Sequence, residues 1–224
     1  MSNYNITEEI TSAPSKKHID TGISENLELS HRVETSLNGN AFLEFTYTNE
    51  NGQSVKRTEW EVNPLPALNA MSSKQQQMIT NLAEKAKVSM EAAREMFTQI
   101  NINAQMKRII NVAKHFVPEN ELKGQNFNSF KEFITFISNK IGTKCNGVKL
   151  RVKFVYDRKG WVNTPEYVDD SNPWIERMDK VPTAEESKII IKPSDKMERS
   201  QPSGSRAPKV ENDLSDPDSD DLPF

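Results

Sequence analysis

The chain of 224 residues contains one cysteine, Cys145. A lone thiol excludes an internal disulfide framework and leaves too few soft ligands for a structural zinc site, which fits a reducing compartment inside a cell. No apolar run approaches the roughly 18 residues needed to cross a bilayer, so no membrane partner is expected. The N-terminus carries Glu8 and Glu9 with no apolar core, unlike a signal peptide. The expected location is therefore the cytoplasm. Histidine is scarce too: His18, His31 and His115 occur without an HxxxH, a CxxC or a Gly-rich phosphate loop. Asp169-Asp170, a paired carboxylate of the central region, is flanked by Ser171, Asn172 and Pro173 as a turn would be. A metal-dependent nuclease needs more converging carboxylates than that. The expectation is a chain that is no enzyme, with no catalytic residues, no metal and no cofactor.

What is present is an uneven charge. The net charge of -3 conceals a central region, residues 25–192, with 23 basic and 21 acidic groups, and a final stretch, 193–224, with four basic and eight acidic. Within the centre, residues 107–159 hold 12 Lys and Arg against four Asp and Glu. A local excess of that size inside an acidic protein points to a polyanionic partner beside an acidic arm.

Composition divides the chain in three. Residues 1–24 are polar and aperiodic and read as a disordered arm, and 193–224 read as a disordered acidic tail. Between them, Leu43, Phe45 and Tyr47 alternate, Asn51-Gly52 makes a turn, and the chain returns through Val55 to Trp60 and Val62, a hairpin signal. From about Ser72 the apolar spacing changes to three and four, and predicts four helices, over 72–87, 89–100, 103–116 and 128–141. Ser72 with Gln75 reads as a capping box, and Gly142 as a stop signal. Strands resume where Val148, Leu150, Val152, Phe154 and Tyr156 alternate with Lys149, Arg151 and Lys153, before a turn at Asp157–Gly160. Two isolated hairpins are unstable in water. Joining them, with a further strand from Leu27 to Leu37, predicts an α+β fold with a mainly β core. The expected form is an OB-like five-stranded barrel over 25–192, with a large helical insertion at about 68–142 packed on it.

On this reading Lys149, Arg151 and Lys153 stand together on the outer face of their strand, spaced about 6.5–7 Å apart, near the repeat of an extended nucleic-acid backbone. Arg158, Lys159 and Trp161 extend the basic surface and offer a stacking ring, and Lys56, Arg57 and Trp60 repeat the arrangement from the hairpin. Each tryptophan taken alone reads first as a core anchor, whereas three cations with no acidic member read first as a binding row.

The last residues, "SDDLPF", carry a resemblance. Asp220, Asp221, Leu222, Pro223 and Phe224 are similar to the acidic tip of bacterial and phage single-stranded DNA-binding proteins, an OB-fold followed by a linker, aspartates, an aliphatic residue, proline and a final phenylalanine. The size of the helical insertion departs from the bacterial pattern and is closer to a divergent phage or mobile-element type. The resemblance implies a protein that coats single-stranded DNA in replication, recombination and repair, within the host cytoplasm if phage-encoded. It also implies that the tip docks on a polymerase, primase, helicase or recombinase, the Phe ring entering an apolar pocket and its carboxylate meeting a cation. An accessory protein that grips protein rather than DNA is the alternative.

Overall fold

The computed structural model describes residues 18–198; the expected arm up to residue 17 and the tail beyond 198, with its tip, lie outside the described residues. The chain is α+β, with a nearly closed five-strand antiparallel barrel. Strands β1 (Gly22–Thr35), β2 (Ala41–Thr48) and β3 (Ser54–Trp60) precede helices α1 (Ser73–Ala86), α2 (Met90–Ala113), α3 (Glu119–Leu122) and α4 (Phe130–Ile141). Strands β4 (Leu150–Tyr156), β5 (Val162–Asn163) and β6 (Ile175–Arg177) follow.

The strand order is β3-β2-β1-β4-β5, with β6 also paired to β4. β1 makes this possible because it serves two neighbours. Its first residues pair with β4 and its later ones, Glu28 to Thr35, with β2. Between Ser24 and Leu27 the register shifts, and Asn26 takes φ 56°, a left-handed conformation that Asn tolerates better than most residues. Such a bulge bends a strand and lets one sheet curl toward closure. At the far side Arg57 on β3 donates to the Thr164 carbonyl just after β5, at 3.4 Å, and brings the two ends of the sheet together.

Leu27 and Leu29, Leu43, Phe45 and Tyr47, Val55, and Leu150, Val152 and Phe154 point inward from the strands, as the period-two pattern expects, and the Tyr47 and Phe154 rings meet edge-on at 5.9 Å. Ile109 and Val112 of α2 and Phe133, Ile134, Ile137 and Ile141 of α4 join the same core. The capping box at Ser72 and Gln75 forms, and Gly142 ends α4.

Three expectations are corrected. The helices expected at 89–100 and 103–116 are one helix of 24 residues. Asn101 and Asn103 look like a break, but their propensity costs only a few tenths of a kcal/mol each and neither Gly nor Pro intervenes. The insertion is not all packed on the barrel: Leu65, Met71, Ile79, Ala83, Ala93 and Phe97 form a separate core between α1 and the first half of α2. The boundaries at 24 and 193 also move. β1 begins at Gly22, and the segment to Glu198 is bonded to the barrel, with Tyr156 N donating to Lys196 O at 2.7 Å and Thr21 Oγ1 to Met197 O at 2.8 Å.

Candidate nucleic-acid interface

The nine cations and tryptophans singled out in the sequence separate into three groups. The first corrects the expected outer row. Arg151 and Lys153 are 1% and 0% exposed, because β4 is covered on both faces. The inner face meets the core, the outer one meets Val181 and a strap formed by residues 187–197, and β6 pairs along the edge between them. Lys153 Nζ places its three protons on Asp195 Oδ2 at 2.8 Å, the Ile190 carbonyl at 2.8 Å and the Tyr167 hydroxyl at 3.1 Å. Burial works against ionisation of Asp195, but the hydrogen bonds from Lys153 and Tyr167 outweigh it and hold that carboxyl below its ordinary value. Arg151 Nε donates to Glu25 Oε1 at 2.7 Å and Nη1 to the Val181 carbonyl at 3.1 Å, with Glu176 3.6 Å away. Neither side chain reaches a ligand. Lys149 alone of the row reaches solvent, where it meets Glu28 at 3.1 Å and Glu50 at 3.8 Å.

Arg57 belongs to a second group, turned toward the barrel interior. Its Nε donates to Glu59 Oε1 at 2.9 Å, and Arg108 from α2 grips both oxygens of the same carboxylate, at 2.9 and 3.0 Å. Burial opposes the charge on Glu59, yet Arg57 and Arg108 together lower its pKa. This network bolts α2 to β3 and leaves Arg57 as a structural cation.

The third group is exposed. Trp60 and Trp161 are 46% and 66% exposed and neither is a core anchor; the fully enclosed tryptophan is Trp174. Trp60 lies over Phe42, its cross-strand partner, with ring centroids 4.4 Å apart. The pair sits on the outer face of β1–β3, which also presents Ser30, Arg32, Glu44, Thr46, Ser54, Lys56 and Thr58 by the pleat. Arg32 and Lys56 flank Glu44 at 2.9 and 3.3 Å. Burial resists ionisation of Glu44, but hydrogen bonds from those two cations overcome it.

Trp161 stands at the end of the β4–β5 turn beside exposed Arg158 and Lys159. The Asp157 carboxylate accepts from the backbone N–H groups of Lys159 and Trp161, both at 2.9 Å, while Asp157 N donates to Trp161 O at 2.8 Å. Gly160, at φ 76°, supplies the left-handed step this closure needs. The turn thus holds an indole out in water on a braced loop. Next to it a cleft of about 370 Å³ is lined by Tyr156, Arg158, Tyr167 and Lys196.

The structure therefore brings together Lys56 and Trp60 on one face, and Arg158, Lys159 and Trp161 on the neighbouring turn. It adds Arg32 and Phe42, which sequence reading missed. The signal for Phe42 was available, since it shares a phase with Glu44 and Thr46 and opposes Leu43 and Phe45. Among the described residues no group of three or more His, Cys, Asp or Glu could hold a metal, and no helix is long and apolar enough to cross a membrane. Comparison with protein-family models, curated proteins and solved structures finds no match for this chain.

If Lys153 serves the fold, Lys153→Met leaves Asp195 buried without its cation and costs about 3–5 kcal/mol, whereas Lys153→Met with Asp195→Leu recovers most of that loss. Urea denaturation of both variants measures this. Unaltered stability in the single variant would contradict the structural role.

Proposed function

We propose that this chain is a non-catalytic single-stranded DNA-binding protein built on an OB-like barrel. It coats strands exposed in replication, recombination or repair and recruits enzymes through its acidic tip. The observation that carries the reading is the pair of exposed tryptophans on rigid supports, Trp161 beside Arg158 and Lys159 and Trp60 on the face that also carries Arg32 and Lys56. Burying such a ring is ordinarily favourable, so two rings held in solvent suit a partner that is flat and apolar on its faces and anionic along its edge. Every base offers a stacking face, which gives binding tolerant of sequence.

The architecture supports the same reading. Taken around the barrel, the strands run β1-β2-β3-β5-β4, and the helices fall between β3 and β4. That arrangement is compatible with an OB-like barrel, and OB barrels bind oligonucleotides on the β2–β3 face and on the β1–β2 and β4–β5 loops. Trp60 and Lys56 lie on that face and Trp161 ends that last loop. One observation favours the alternative, an accessory protein gripping protein: Glu28, Glu44 and Glu50 pair with the barrel-face cations, so that face carries little net positive charge. Stacking, with Arg158 and Lys159 supplying phosphate contacts, then has to provide most of the affinity.

Fluorescence anisotropy with a labelled oligo-dT strand tests this. Trp60→Ala and Trp161→Ala each weaken binding by about 1–3 kcal/mol while the salt dependence barely changes. Arg158→Ala with Lys159→Ala lowers the log–log salt slope by about 1.4, two phosphates at about 0.7 each. Wild-type affinity in both tryptophan variants would refute the stacking surface.

The recruiting role of Asp220 to Phe224 stands on the sequence resemblance. Deleting Phe224 removes the ring and leaves the aspartates, so DNA affinity stays as it was while capture of the cognate polymerase, primase, helicase or recombinase is lost. Equal capture of those enzymes by both forms would sink the docking role.

A further inference from the structure

A second cleft, of about 440 Å³, opens where β3 ends. Glu61, the residue after Trp60, forms part of one wall, and Met106 of α2 and the loop before α4 form the others. Gln105 ties these walls together by donating to the Trp60 carbonyl and, at 3.4 Å, to Glu59. The lining combines aromatic surface with amide groups. Phe127 is braced by Phe133 and Phe136, with centroids 5.4 and 5.2 Å apart, and Phe130 lies beside them. The side chains of Gln125 and Asn126, at the mouth, make no hydrogen bond among the described residues. No Lys or Arg lines the cleft, and its one charged group is the Glu61 carboxylate.

We propose that this cleft receives an unstacked base of the bound strand, at the nucleotide next to the one stacked on Trp60. The proposal rests on the single-stranded DNA reading and deepens it. Charge decides which part of the nucleotide enters. A phosphate would meet Glu61 with no cation to offset it, whereas a base brings a neutral ring for Phe127 and a polar edge for the amides. Glu61 is an acceptor only, so it favours bases that carry an exocyclic amino group, as a carboxylate does toward cytosine N4. Thymine lacks that donor. A binder that tolerates most sequences thereby acquires a mild preference at one position.

The test compares oligo-dC with oligo-dT on the full chain. Asn126 is exposed, so Asn126→Trp fills the mouth without disturbing the core. It weakens oligo-dC binding about tenfold and leaves the salt slope unchanged, because a base contact releases no counterion. Glu61→Gln reduces the preference for dC over dT about threefold. Photocrosslinking with 5-iodo-deoxycytidine in the strand places adducts on the peptide containing Phe127 and Phe130. The proposal is overturned if Asn126→Trp binds oligo-dC like the wild type and adducts fall only at Trp60 and Trp161. That result leaves DNA binding itself intact, and it is also what a cleft made for an apolar peptide gives. Failure of the wild-type protein to bind either oligonucleotide overturns the reading beneath the proposal.

Discussion

A lysine ammonium with no solvent exposure sits in the middle of β4, and the structure around it follows from the need to satisfy it. Taking such a charge from water is costly unless a counter-charge and hydrogen bonds replace the hydration. Asp195, the Ile190 carbonyl and Tyr167 do so together. Two of the three lie on the strap of residues 187–197, so the strap is held against the barrel by the group it buries. Tyr156 N to Lys196 O continues that attachment to the end of β4, where the β4–β5 turn begins. One ion pair thereby fixes the C-terminal segment, seals the outer face of β4 and steadies the loop that carries Trp161.

The same constraint limits where the proposed DNA strand could lie. With Arg151 and Lys153 enclosed, the middle of β4 offers nothing to a phosphate. The exposed chemistry is displaced to the outer face of β1–β3 and to the turn after β4. There the cations are few and several are paired with carboxylates, while the aromatic rings are well presented. Under the proposed function such a surface works more by stacking than by charge, in a protein whose cations are largely engaged in its own fold. The Arg57–Glu59–Arg108 network is the second example: two arginines from distant parts of the sequence share one buried carboxylate to join α2 to β3.

Local signals were legible where the structure depends on local physics. The Asn51-Gly52 turn, the phase of Leu43, Phe45 and Tyr47, the Ser72 cap and the Gly142 stop all reflect interactions within a few residues. The separate helices expected on either side of residue 101 are one, because Asn101 and Asn103 oppose a helix only weakly. Arg151 and Lys153 failed for a different reason. Alternation along a strand identifies the face that enters the core, and says nothing of what covers the other. Here the cover is an irregular segment with little periodicity, and its key residue, Asp195, lies 42 positions from Lys153 and inside what composition marks as tail. The tryptophans inverted for a related reason: a large aromatic ring is usually well buried, and only the pleat relative to Phe45 and the geometry of the Asp157 turn show that these two are not.

The central claim is that single-stranded DNA lies across the β2–β3 outer face and the β4–β5 turn, and leaves the strap in place. Hydrogen–deuterium exchange of the full chain, with and without a saturating oligonucleotide, tests it most directly. The account requires slowed exchange in peptides covering Ser54–Trp60 and Asp157–Trp161, with exchange of the segment 187–197 unchanged. Protection confined to other regions, or faster exchange of the strap as DNA draws Lys153 and Arg151 into the open, would contradict it.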